Sequence, residues 1–420
     1  MKNAKIETNE NNLQRREISV NDFAPLKIGQ VENAEAGTGV TVFIAENGMR
    51  AGPDVRGGGP ASREPLLLDP LMAANCVHGI VLGGGSAFGL GAAGGVMKLL
   101  EERGFGYDVG VTRVPLVVQS DIFDLTVGDA FTRPDENMGY EAAKIALDAP
   151  NYKDGNFGAG CGASVGKLLG MDYCMKTGIG SFAVRIGELK LGAVVVLNAL
   201  GDVFDHKTGE QIAGLLTEDR TALRSTIEQM QRNTAAKDNK FADNTTLAVV
   251  FTNAYFEKTR LCKIAGMAHD GFARSIRPVH TSADGDSIYA VSIGEVCADT
   301  DLVGSLAAEA PAKNASIDFA LSVYQRAFIR FASRGGGVGF PIQRVYRNAL
   351  FALGHEQGRS NASVLAIEAY HGAVFALALG GHYLRIRADI VLNQNVSERI
   401  HGHEPILKRL RLRALAVEFL

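Results

Sequence analysis

Apolar positions along this chain follow two alternating periods. Short runs of consecutive apolar, often β-branched residues occur at Val40–Glu46, Gly79–Leu82, Leu191–Leu197, Leu247–Phe251 and Ser287–Ile293. Runs this short, bounded by polar or glycine-rich segments, predict buried strands. Between them lie stretches at helical spacing. The clearest is Glu257–Ile276, with apolar residues at 261, 264, 265, 268, 272 and 276, one face of an amphipathic helix. Further helices are predicted from the glycine-rich turn Gly83–Gly89 to about Arg103, near Tyr140–Leu147, over Thr217–Asn239 (its end polar and loose), and at Ser316–Phe331. Residues 1–25 are polar and predict a flexible leader. Ala51–Glu64, centred on Arg56-Gly57-Gly58-Gly59-Pro60, predicts a loop, because glycine and proline interrupt regular elements. Strands and helices mixed throughout predict an α/β or α+β class.

Composition narrows this picture. The chain has 420 residues, 46% apolar and 21% charged, which suits a globular enzyme with a large core. A formal net charge of −3 gives no reason to expect nucleic acid as a partner. The first 20 residues lack an apolar signal region, and no apolar run reaches membrane-spanning length, so no membrane partner is expected. Five scattered cysteines without CxxC spacing predict reduced thiols and a cytoplasmic location. Glycine numbers 49 and is clustered, which predicts tight loops and close backbone approaches. From Ser333 onward the character changes, ending in the basic amphipathic stretch Leu407–Arg413. Residues 333–420 are therefore read as a C-terminal appendage or subunit contact.

Several motifs bear on chemistry. Gly89-Leu90-Gly91-Ala92-Ala93-Gly94 fits G-x-G-x-x-G, but its glycines fall inside the predicted helix and no strand-end acid follows. Small residues that let a helix pack closely on a sheet explain it better than a dinucleotide. Nine histidines show no HExxH or Cys/His ligand spacing, and His401-Gly402-His403 stands alone, so no metal is expected. Ser86 reads as a loop or capping residue rather than a nucleophile elbow. Asp284-Gly285-Asp286 is ordinary turn chemistry taken alone, or a carboxylate pair balancing a nearby ammonium or hydroxyl. Lys167 is a solvated lysine or a cation that depresses a neighbour's pKa. Asn198 ends a strand, or aims an amide donor at an oxyanion. Asp243-Asn244-Thr245-Thr246 marks a loop-to-strand junction before Leu247. If the chain is cut before Thr245, the freed α-amine, with a reference pKa of about 8, can accept that residue's own hydroxyl proton.

Taken together and in order, these segments resemble the N-terminal-nucleophile hydrolases that include L-aminopeptidase/D-esterase, β-peptidyl aminopeptidase and nylon-oligomer (6-aminohexanoate-oligomer) endohydrolase. The resemblance rests on Arg56–Pro60, Leu82–Leu90, Gly158–Lys167, Asn198 with Gly201-Asp202-Val203, Asn244-Thr245-Thr246, Ala268-His269-Asp270-Gly271, and Ile276–His280 with Asp284-Gly285-Asp286. It implies a four-layer αββα sandwich over 1–332. It implies self-cleavage between Asn244 and Thr245, giving an α chain of 1–244 and a β chain from Thr245. Thr245 would be nucleophile and base, Lys167 its neighbouring cation and Asn198 the oxyanion donor. Asp284 and Asp286 match the acidic pair of the threonine branch. Phe123 stands at a substrate contact where the nylon-oligomer hydrolase carries tyrosine. The family implies tetramers of αβ units and no cofactor or metal. The substrate it implies is a short peptide or amino-acid oligomer, with nylon-oligomer hydrolysis as the alternative. A non-catalytic nucleotide-binding protein using Gly83–Gly94 is the alternative of another class.

Overall fold

The computed structural model describes residues 14–232 and 244–312. The expected helix Ser316–Phe331, the His401/His403 pair, the basic stretch Leu407–Arg413 and the whole 333–420 appendage lie outside the described residues.

Two sheets share one long strand. The first contains β1 (Lys27–Asn33), the N-terminal half of β2 (Thr38–Val55), β3 (Val77–Gly83), β4 (Val117–Asp121) and the short strand Ala61–Arg63, paired in that order. The second contains Arg16–Glu17, β5 (Ile179–Ile186), β6 (Leu189–Val196), β7 (Leu247–Ala254), β8 (Ser287–Val296) and the C-terminal half of β2. All pairs are antiparallel except β3/β4 and β7/β8. Val40–Ile44 of β2 pairs with Gly83–Gly79 of β3, and Arg50–Val55 then pairs with Ser292–Ser287 of β8. The bend lies between Ile44 and Met49, where the register shifts. Gly48 sits there at φ 79°, in the left-handed region that a side chain disfavours.

Side-chain alternation sorts the strands into layers. Phe43, Val194, Val196, Leu247, Val249, Phe251, Tyr289 and Val291 point between the sheets. Val40, Val42, Ile44 and Val81 point outward against α1 (Ala92–Glu102) and α2 (Glu136–Asp148). Ala193, Val195, Ala248 and Val250 point outward against α3 (Lys258–Ser275) and α4 (300–312). Three apolar seams separating four layers define the expected αββα sandwich. Each large side chain enclosed in a seam contributes roughly 1.5–3 kcal/mol. The helical positions 261, 264, 265, 268 and 272 are all buried, as their spacing predicts.

Three expectations change and a fourth widens. The segment Ala51–Val55 is strand, not loop, because β8 supplies its pairing. Gly52 also lets α3 approach, since a Cβ there would lie 2.4 Å from the Cys262 nitrogen. The leader is partly built in: Val20 and Phe23 are buried, and the Phe23 ring meets Phe251 edge-on at 4.8 Å. Of Thr217–Asn239, only Thr226–Arg232 is helical among the described residues, because 217–225 is occupied by turns. The small residues around Gly94 serve helix–helix packing as well as the expected helix–sheet packing, where Ala92 and Ala93 lie against the strands. A Cβ at Gly95 would lie 1.8 Å from the Glu136 carbonyl oxygen, and one at Gly139 would lie 1.9 Å from that of Ala92.

Candidate active site

Parallel pairing of β7 and β8 brings the two loops that precede them side by side. Asn244 pairs with Asp284 just ahead of the Leu247/Ser287 register. The Asn244 N–H donates to the Ala283 carbonyl at 3.3 Å, and the Gly285 N–H donates to the Asn244 carbonyl at 2.7 Å. Thr246 N–H donates to Asp286 Oδ1 at 2.7 Å. Between these anchors sits Thr245, 4% exposed. Its N–H donates to the Asn198 carbonyl at 2.8 Å, and its Oγ1 donates to the Asn244 carbonyl at 2.5 Å. The Gly57–Gly59 run closes the far side: Gly59 N–H donates to the Asp284 carbonyl at 2.9 Å. A Cβ at Gly57 would lie 2.3 Å from the Asp286 nitrogen, which explains why that loop is glycine.

Lys167 and Asn198 join this centre from the turn after the second glycine-rich loop and from the end of β6. Lys167 is buried, and its Nζ donates to Asn198 Oδ1 at 2.9 Å and to the Asn198 carbonyl at 3.3 Å. Ser164 N–H also donates to Asn198 Oδ1, at 3.0 Å. One carbonyl oxygen, that of Asn198, therefore receives both the Thr245 nitrogen and the Lys167 ammonium. Asn198 Nδ2 donates to the Phe123 carbonyl at 3.1 Å. Phe123 thus enters the site through its main chain.

The two aspartates differ in wiring. Asp284 accepts from Thr281 Oγ1 at 2.6 Å, Thr281 N–H at 2.9 Å and Leu200 N–H at 3.3 Å. Burial, and after it the charge of Asp286, pushes the Asp284 pKa up. Asp286 accepts from Thr246 and His280 N–H groups and lies 2.8 Å from His280 Nδ1. The His280 ring meets that of His269 at 4.7 Å. His269 Nε2 lies 3.0 Å from the Asp54 carbonyl, and burial pushes its pKa down to about 4, so its ring is neutral. His280, Thr281 and Gly285 were not singled out as site residues. The Thr281/Asp284 spacing of three residues is the one local signal that points to them.

Sequence reasoning also missed a second buried acidic pair, Asp121 and Asp124, on either side of Phe123. Both glycine-rich loops close on it. A Cβ at Gly84 would lie 1.9 Å from Asp124 Oδ2, and one at Gly162 would lie 2.7 Å from it. Asp124 Oδ1 accepts from Gly85 N–H at 2.7 Å, and Asp121 Oδ1 from Gln119 Nε2 at 2.8 Å. Burial pushes the Asp121 pKa well up and that of Asp124 from 3.8 to about 6. For Asp124 this rise disfavours the ionised form by roughly 3 kcal/mol. The folded pKa lies above the unfolded one, so this stability is complete below the unfolded pKa and is lost as pH rises through about 6. Asp124→Asn cannot ionise. The melting temperature of the variant minus that of the wild type is expected to rise between about pH 4 and pH 7, as read by calorimetry across that range.

The layered fold has counterparts among solved structures. Two solved structures share the fold at a TM-score of 0.50. The PH0078 protein of Pyrococcus horikoshii OT3 is 20% identical, with 71% of this chain and 84% of that one covered. The L-aminopeptidase D-Ala-esterase/amidase of Ochrobactrum anthropi, described as a variant of the Ntn hydrolase fold, is 15% identical, with 78% and 92% covered. The chain belongs to peptidase family S58, whose family model matches residues 19–330. An uncharacterized aminopeptidase of Mycobacterium leprae is 37% identical over 293 residues, 66% of this chain and 79% of that protein. A 6-aminohexanoate-oligomer endohydrolase of Agromyces sp. is 31% identical over 283 residues, 67% of this chain and 76% of that protein. The protein is accordingly a hydrolase of peptide or amide bonds. Among the described residues, no helix is long and apolar enough to cross a membrane, and no cluster of His, Cys, Asp or Glu is arranged to hold a metal.

Proposed function

We propose that the chain cuts itself between Asn244 and Thr245 and then opens amide bonds of short peptides or amino-acid oligomers through an acyl-enzyme on Thr245. The observation that carries this reading is the shared Asn198 carbonyl, which holds the Thr245 nitrogen beside the Lys167 ammonium. In self-cleavage, Thr245 Oγ1 attacks the Asn244 carbonyl carbon. Charge developing on the oxygen meets the Gly285 N–H, already 2.7 Å away. The C–N bond breaks, the hydroxyl proton ends on the nitrogen, and water hydrolyses the resulting ester.

In the mature enzyme the new α-amine must be neutral to act as base. The Lys167 ammonium disfavours a second positive charge beside it, which lowers the pKa of the amine. The Asn198 side chain is expected to assist at the oxyanion once substrate replaces Asn244. Asp284 and Asp286 fix the strand ends that carry the nucleophile. Lys167→Met is expected to move the acid limb of kcat/KM to higher pH, because the amine then holds its proton longer. A pH–rate profile of the cut variant checks this.

A cytoplasmic location and assembly into tetramers of αβ units belong to the same proposal. The scattered spacing of the five cysteines, with no CxxC pair, supports a reducing compartment. The test is intact mass and N-terminal sequencing of purified protein, with a fragment beginning at Thr245 expected. A single 44.7 kDa chain with full amidase activity overturns the reading.

A further inference from the structure

We propose that the Ala283 carbonyl and the Gly285 N–H form the acyl subsite of the mature enzyme and select substrates whose nitrogen sits on the carbon next to the scissile carbonyl. This rests on the self-cleavage and acyl-enzyme chemistry proposed above. The ester formed during self-cleavage and the acyl-enzyme formed during turnover are the same functional group on the same oxygen. In the first, Oγ1 bonds to the Asn244 carbonyl carbon as the C–N bond breaks and the nitrogen takes the proton. In the second, Oγ1 bonds to the substrate carbonyl carbon, its proton passes through the α-amine to the departing amine, and water then releases the acid and restores the hydroxyl. The uncut chain therefore shows an acyl residue, Asn244, already seated against Thr245.

Its seating is a main-chain clamp. Asn244 donates its N–H to Ala283 and accepts at its carbonyl from Gly285, the two bonds of a parallel bridge across Asp284. Such a bridge is satisfied at both ends only when a single carbon separates the nitrogen from the carbonyl carbon. In the uncut chain Asn244, Ala283 and Asp284 are 1%, 3% and 1% exposed, so a bond left unmade while an acyl group fills this site is not replaced by water. A β-aminoacyl group inserts one methylene, and a 6-aminohexanoyl group carries its amine far beyond Ala283. The clamp favours α-aminoacyl amides over both.

The test compares alanyl, β-alanyl, 6-aminohexanoyl and propionyl p-nitroanilides on the wild-type protein, whose cut before Thr245 is checked by mass. The alanyl compound is expected to exceed the other three in kcat/KM by about tenfold or more, the cost of one unmet buried hydrogen bond. If a cut enzyme hydrolyses propionyl or 6-aminohexanoyl anilide as well as alanyl anilide, the clamp is wrong. The clamp also fails if the cut enzyme leaves alanyl anilide untouched. An uncut chain that hydrolyses the anilides instead removes the acyl-enzyme reading on which the clamp rests.

Discussion

Thr245→Ala is expected to leave one uncut 44.7 kDa chain and to lower amide hydrolysis by roughly 10⁴-fold or more. The size of the effect follows from the two roles placed on one residue. Without the hydroxyl, no ester forms and the peptide bond stays closed. Without the cut, the nitrogen remains an amide whose lone pair is delocalised into the Asn244 carbonyl and cannot serve as base. The fold is expected to survive, because Thr245 is anchored by its backbone N–H to Asn198, and β7 pairs only from Leu247 onward. Thr245→Ser keeps the hydroxyl and is expected to cut and turn over, though more slowly. Intact mass reads the cut, and an anilide assay reads turnover. An alanine variant that still matures places the nucleophile elsewhere.

Gly285→Ala is expected to slow both self-cleavage and turnover by about 10²–10³-fold, the cost of losing one oxyanion donor. A Cβ at Gly285 would lie 2.6 Å from Thr245 Oγ1, 2.9 Å from the Gly59 carbonyl oxygen and 3.1 Å from Pro60 Cα. Those contacts force either the hydroxyl away from the Asn244 carbonyl or the 284–286 segment to move: the first displaces the nucleophile, and the second opens the bond between the Gly285 N–H and the Asn244 carbonyl. Gly285 does not occupy the left-handed region, so the effect is positional rather than a backbone penalty. The measurement is the fraction cut over time, followed by electrophoresis, with a thermal melt to show that the fold holds. A variant that cuts at the wild-type rate removes Gly285 from the oxyanion role.

Most strands were legible because β-branched runs such as Leu191–Leu197 and Leu247–Phe251 have no competing helical period. The α3 helix was legible because its apolar positions repeat over five turns. The strand through Gly52 and Pro53 was not, since local propensity argues against it and only pairing with β8 and cover from α3 sustain it. The buried leader residues Val20 and Phe23 carry no local pattern, and their burial comes from contacts such as that with Phe251.

At the site, Thr245 was legible as a loop-to-strand threonine, and Asp284 and Asp286 as an acidic pair about a glycine. Linking them to Lys167 and Asn198 needed a resemblance, because nothing local ties residues so far apart in sequence. By itself the sequence determined most element types, the apolar faces that those elements bury and which residue types are candidates for the chemistry. Local spacing and hydrophobic period suffice for those. Only the tertiary structure decided that Gly285, rather than a side chain, donates to the Asn244 carbonyl, and that Phe123 contributes its carbonyl. Main-chain donors and acceptors are the same at every residue, and only the parallel pairing of β7 with β8 selects which of them face Thr245.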